Sequence, residues 1–112
     1  MNDKELADRV VAFGVGKANQ IYPDGIGKFY QVDVDADWQT SVNESKFVRD
    51  WRVAGALMER CLSLDYDQAD EEHTVSVWTA ASFTGPSATI GNESLPRAII
   101  EACCEALCEK GA

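Results

Sequence analysis

Residues 47–61 read FVRDWRVAGALMERC, and the fold turns on this stretch. At helical spacing Phe47, Trp51, Ala54, Met58 and Cys61 share one face, with Leu57 beside them. Arg49, Asp50, Arg52, Glu59 and Arg60 fall mostly on the other. An apolar stripe with a charged back predicts one amphipathic helix. Ala54 and Gly55 thin its middle, so a neighbour can approach closely there. Its predicted cap is Ser45, with Ser41 and a Glu44 capping-box partner as the alternative.

Upstream stands the clearest alternation of the chain, KFYQVDVDADW at 28–38. Tyr30, Val32, Val34, Ala36 and Trp38 point one way; Phe29, Gln31, Asp33, Asp35 and Asp37 point the other. That pattern predicts a half-buried strand with a wet acidic face, which discourages edge pairing. Before it, Pro23-Asp24-Gly25 marks a surface turn within 19–28, with Ile21 and Tyr22 tucked under it. Earlier still, Asn2 and Glu5 make a capping box for a helix over 3–13, ended by Gly14 and Gly16.

Downstream the period changes to two. Leu62, Leu64 and Tyr66 alternate with Ser63, Asp65 and Asp67. An acidic turn follows at 69–72, and Val75, Val77 and Thr79 then alternate with Thr74, Ser76 and Trp78. The two strands predict a hairpin, with a few more paired residues at 87–90. Ser94 caps the last helix and Pro96 sits in its first turn, where a missing N–H costs nothing. Leu95, Ile99, Ala102, Cys103, Ala106 and Leu107 line one face, widened by Ile100, Cys104 and Cys108. Glu101, Glu105 and Glu109 are expected on the wet side, and Gly111 ends the helix. The prediction is one α+β domain over 1–112: three helices and a small, mainly antiparallel sheet in an α/β/α sandwich-like arrangement.

The chain is long enough for one core; a domain of this size buries roughly 65% of its unfolded surface. No apolar run reaches the ~20 residues of a membrane span, and the charged start MNDKELADR lacks a signal-peptide core. A cytosolic protein is expected, with no membrane partner. Nineteen Asp and Glu against ten Lys and Arg give net −9. That field repels phosphate backbones and disfavours direct nucleic-acid binding. It serves solubility, or a surface that competes with nucleic acid for a basic groove. Cys61, Cys103, Cys104 and Cys108 show no C-x-x-C spacing and read as structural thiols.

Two acidic groups invite a chemical reading. Asp33, Asp35, Asp37, Ser41 and Glu44 fall at positions 1, 3, 5, 9 and 12 of a calcium loop. The sixth position, which wants glycine, holds Trp38. The second group is Asp65, Asp67, Asp70, Glu71 and Glu72, with His73 next to it. Neither has a nucleophile or a phosphate loop beside it, so no enzyme and no cofactor is expected. Phe29 and Trp78 on the strand faces opposite the valines, with Phe83 in a loop, are either a second core layer or a sticky patch ringed by carboxylates.

Three segments, RVVAFGVG, FVRDWRVAGALMER and SLPRAIIEACCEAL, together resemble the phage α/β/α sandwich domain. In that family a Trp-bearing helix precedes a short sheet, and a helix rich in Ala and Ile with a leading Pro closes the domain. Trp51, Trp78, Pro96, Ala98 and Ile99 match. The resemblance implies a phage or prophage gene expressed inside a bacterium, and it carries over no catalytic residue.

The leading expectation is a non-enzymatic accessory protein that binds a host or phage protein, for example a defence protein, through Phe29, Gln31, Asp33, Asp35, Asp37, Asp65, Asp67 and Trp78. One alternative is a binder of a nucleotide signal, with Arg49, Arg52, Arg60 and Arg97 supplying the cations. Another is a metal-dependent enzyme using Asp33, Asp35 and Asp37 or Asp65 and Asp67. A homodimer would require an apolar patch.

Overall fold

A computed structural model describes residues 1–20, 28–79 and 85–111. The side chains of Gln20, Trp38 and residues 108–111 lie outside that description, as do the 23–25 turn, Ile21, Tyr22 and Phe83.

Helix α1, Asp3–Ala12, starts as its capping box requires: the Asn2 side chain accepts from the Glu5 N–H at 2.8 Å. Its inward face is Leu6, Ala7 and Val10. The chain then turns through Gly14 and Gly16, both at positive φ. A Cβ on Gly16 would lie 2.6 Å from the Gln31 carbonyl and 2.9 Å from the Phe47 ring, so only glycine fits. A strand absent from the sequence reading follows: β1, Lys17–Gln20, pairs antiparallel with β2, Lys28–Gln31.

β2 stops where the alternation continues. Tyr30 gives its N–H and C=O to Val42, at 2.7 and 2.8 Å, so the chain must leave the sheet and return within ten residues. Residues 33–37 form turns, and Trp38–Thr40 is a single 3-10 turn. The predicted long strand is therefore corrected to four residues. Asp is a poor strand former and a good turn former, because its carboxylate bonds nearby N–H groups. Here Asp33 accepts from the Asp35 N–H at 3.0 Å and Asp37 from the Gln39 N–H at 3.2 Å.

The predicted central helix is two helices. α2, Glu44–Phe47, is capped by Asn43, not by Ser45 or Ser41; α3, Trp51–Met58, is capped by Asp50. The Asp50 carboxylate accepts from the Arg52 N–H at 2.8 Å, which restarts the helix and resets its phase. Val53, Ala54 and Leu57 consequently face inward, while Trp51 is 59% exposed and Met58 39%. The reading that placed Trp51 and Met58 on the core face is overturned by that break.

β3, Ser63–Ala69, and β4, Glu72–Trp78, form the expected hairpin, and β5, Ala88–Asn92, pairs with β4. The hairpin turns through Asp70 at φ 57°, a conformation that Asp tolerates. α4, Leu95–Gly111, begins at Ser94 as predicted; the Ser94 carbonyl accepts from the Ala98 N–H at 3.0 Å.

α4 is the hub. It packs on β4 and β5, and also on α3 and α1. The expectation that two helices clasp one sheet becomes a stack in which α4 covers the sheet and α3 packs on α4. Ala98, Ile99, Ile100, Ala102, Cys103, Cys104 and Ala106 are all buried in one cluster with Val75, Val77, Leu57 and Leu6. Tyr30 stacks on Phe47 at 5.0 Å in the same cluster.

Glu101 is buried, not wet. The Met1 ammonium lies 3.3 Å from it and Arg97, itself buried, 3.2 Å. Arg97 also donates to Asp3 at 2.9 Å and to the Met1 carbonyl at 2.7 Å. A buried charge persists only when paired, and this network supplies the pairs.

Candidate binding face

The eight residues expected to act together divide among β2, the turn that follows it and the three-stranded sheet. Phe29 is half-buried on β2, opposite Asn19. Gln31, expected on a wet face, is 1% exposed. Its amide donates to the carbonyls of Ala36 at 2.5 Å and Asp37 at 3.0 Å and accepts from Asn19 at 2.9 Å. Gln31 is thus the knot that coils the acidic turn, a correction forced by those three bonds. Asp33, Asp35 and Asp37 are exposed on that turn.

Asp65, Asp67 and Trp78 stand together on the other sheet. In the register, Asp65 faces Ser76, Asp67 faces Thr74 and Trp78 faces Ser63. Side chains alternate across a pleat, so these residues take the face opposite the buried Val75 and Val77. Thr89 extends the row onto β5, where its hydroxyl meets that of Ser76 at 3.1 Å. No described helix covers this face. Trp78 is half-buried in it and walls an open depression of about 410 Å³ with Leu62, Ser63, Asp65 and Thr79. At the hairpin end, Asp70, Glu71, Glu72 and Glu93 border a second hollow of about 500 Å³.

The electrostatics of the two halves differ sharply. Residues 61–96 contain six acids (Asp65, Asp67, Asp70, Glu71, Glu72 and Glu93) and no Lys or Arg. Two thirds of the net −9 thus sits on the three-stranded sheet and its connections. All ten cations lie in 1–60 and 97–110. This signal is legible in the sequence, and the register adds that Asp65, Asp67 and Glu72 stand on one face. The sequence reading had Thr74 and Ser76 on the face of Trp78, as the register has them, but did not join Thr89 to it.

His73 points to the opposite face. Its Nδ1 lies 2.9 Å from the Tyr66 hydroxyl, the rings stack at 5.6 Å, and Tyr66 also bonds Gln68 at 3.0 Å. These contacts hold the hairpin tip and bring no nucleophile to the histidine.

The chemistry of the alternatives finds less support. Among the described residues no three His, Cys, Asp or Glu side chains gather as a metal site. The arginines required by a nucleotide reading already hold partners in the chain. Arg49 bridges Asp3 at 2.9 Å, Arg52 bridges Asp50 at 2.9 Å, Arg60 donates to the Phe13 carbonyl, and Arg97 sits in the buried network. The Cys61 and Cys103 sulfurs lie 3.7 Å apart, and burial pushes both thiols up, which suits packing rather than nucleophilic attack. Among the described residues no helix is long and apolar enough to cross a membrane.

No family model, no curated protein and no solved structure matches the chain.

Proposed function

We propose that the protein is a non-enzymatic binding module that holds a basic partner protein against the outer face of the β3–β4–β5 sheet. One observation carries the reading: six acids and no Lys or Arg occupy the segment that forms an uncovered sheet face, with half-buried Trp78 set among them. An aromatic anchor with a polar, charged rim is the usual make-up of a protein-binding surface. A single-signed field also speeds encounter with an oppositely charged partner and rejects like-charged ones. The resemblance to the phage sandwich domain makes a host or phage protein in the bacterial cytosol the partner class, with interference in a defence system as one role. Competition for a nucleic-acid groove on such a partner fits the same field.

The test is affinity capture from phage-infected cells with the native chain and with the Asp65→Lys/Asp67→Lys double variant. The expected result is a partner bound by the native chain, released by salt, and bound about tenfold or more weakly by the variant. If both proteins capture the same set, or neither captures anything, the reading fails.

A further inference from the structure

Three of the large exposed apolar side chains lie along α3 and its exit: Trp51, Met58 and Leu62, the last 73% exposed. The core takes Val53, Ala54 and Leu57 from the same helix, so the fold has no use for them. Trp51, Gly55 and Met58 follow one another at four- and three-residue steps, which is one line down a helix. A Cβ built on Gly55 meets no atom within 4 Å, so the middle of this line is flat and open. Arg52 and Glu59 sit one residue after Trp51 and Met58, on the same side of the line. Among the described residues Glu59 makes no ion pair, and Arg52 bridges only Asp50.

We propose that this stripe is the contact between two copies of the chain, with the two α3 helices packed antiparallel about a two-fold axis at Gly55. The stripe is self-complementary, as an isologous contact must be. In that arrangement residues whose numbers sum to about 110 face one another. Gly55 lies on its own mate and lets the helix axes close. Trp51 covers the partner's Met58 and reaches toward the partner's Leu62. Arg52 meets the partner's Glu59, and the symmetry repeats the pair on the other side of the axis. Opposed helix dipoles favour the same orientation. The contact shares only Leu62 with the depression beside Trp78 and leaves Asp65 and Asp67 outside it.

A single helix pair is a small interface, and each copy carries net −9. The expected dissociation constant is therefore about 10–100 μM, tightening as salt screens the repulsion. Binding of a basic partner would weaken with salt instead, so the two contacts separate experimentally.

The test is sedimentation velocity from about 5 to about 500 μM, at low and raised salt, with far-ultraviolet circular dichroism as the folding control. The native chain should pass from monomer to dimer. Trp51→Glu, at a solvent-exposed position, should weaken association by about tenfold or more with an unchanged fold. Arg52→Glu and Glu59→Arg should each weaken it, and the two together should restore it. As a second readout, Gly55→Cys should form a disulfide-linked dimer under a mild thiol oxidant, beyond whatever the native cysteines give. A native chain that stays monomeric over the whole range overturns the proposal. So does a dimer indifferent to Trp51→Glu, or a Gly55→Cys variant that forms no more linked dimer than the native chain.

Discussion

Two acidic alternations, DVDAD at 33–37 and DYD at 65–67, are written alike and folded differently. The first coils into turns held from below by Gln31, and its own carboxylates bond its own backbone. The second stays extended because β4 offers seven paired positions and a buried valine row. Alternation is therefore permissive. What decides is whether a partner strand supplies backbone bonds and a core before the aspartates supply their own. The difference also separates roles: the coiled aspartates are occupied by local structure, whereas Asp65 and Asp67 point outward from a rigid sheet.

The strongest way to break the comparison is to remove the core from under the extended run. Val75→Asp puts a carboxylate into a fully buried site, costs more than about 4 kcal/mol, and should abolish the cooperative thermal transition. Next is the knot beneath the coiled run. Gln31→Leu keeps the volume but leaves the Ala36 and Asp37 carbonyls unmet, at about 2–3 kcal/mol in urea unfolding. Amide exchange should quicken at 33–40 and stay unchanged at 63–69.

A third carboxylate sharpens the contrast because it belongs to neither run. Burial alone would push the Asp3 carboxyl up, but hydrogen bonds from Arg49 and Arg97 outweigh it and hold the group below its ordinary 3.8. A depressed folded value means that the contribution is complete above the ordinary value and is lost as pH falls through the lower folded one. Stability should thus drop on the acid side below about pH 4, and Asp3→Asn should flatten that drop while costing about 1–2 kcal/mol at pH 7. Chemical denaturation across the acid range reads both effects. The smallest effect is the most direct comparison. Asp33→Ala loses the bond to the Asp35 N–H and costs about 0.5–1 kcal/mol. Asp65→Ala should change stability by less than about 0.5 kcal/mol. Equal losses at the two positions would erase the distinction.

Features whose causes are local could be read from the residues. The Asn2–Glu5 cap, the Ser94–Pro96 start of α4 and the β3–β4 hairpin each lie within a few neighbours of their determinants, and all three formed as expected. Features set at a distance could not. Gln31 is buried because residues five and six positions on fold back over it. Glu101 is buried because the first residues of the chain come to lie on α4. The phase of α3 turned on whether Asp50 would cap a new helix or sit within an old one, and helical spacing alone cannot distinguish those outcomes. Of the expected interaction residues, Asp65, Asp67 and Trp78 share the open face of the three-stranded sheet, while Phe29 and Gln31 share a face of β2 and are half-buried and buried. Grouping the first three needed the strand register.

The central place of α4 has a consequence for synthesis on the ribosome. The inward residues of α1, Leu6, Ala7 and Val10, emerge well before α4, yet a main surface they pack on belongs to that helix. A nascent chain that has reached only β5 therefore carries α1 without that cover. Up to that point it is a natural client for chaperones that shield greasy segments.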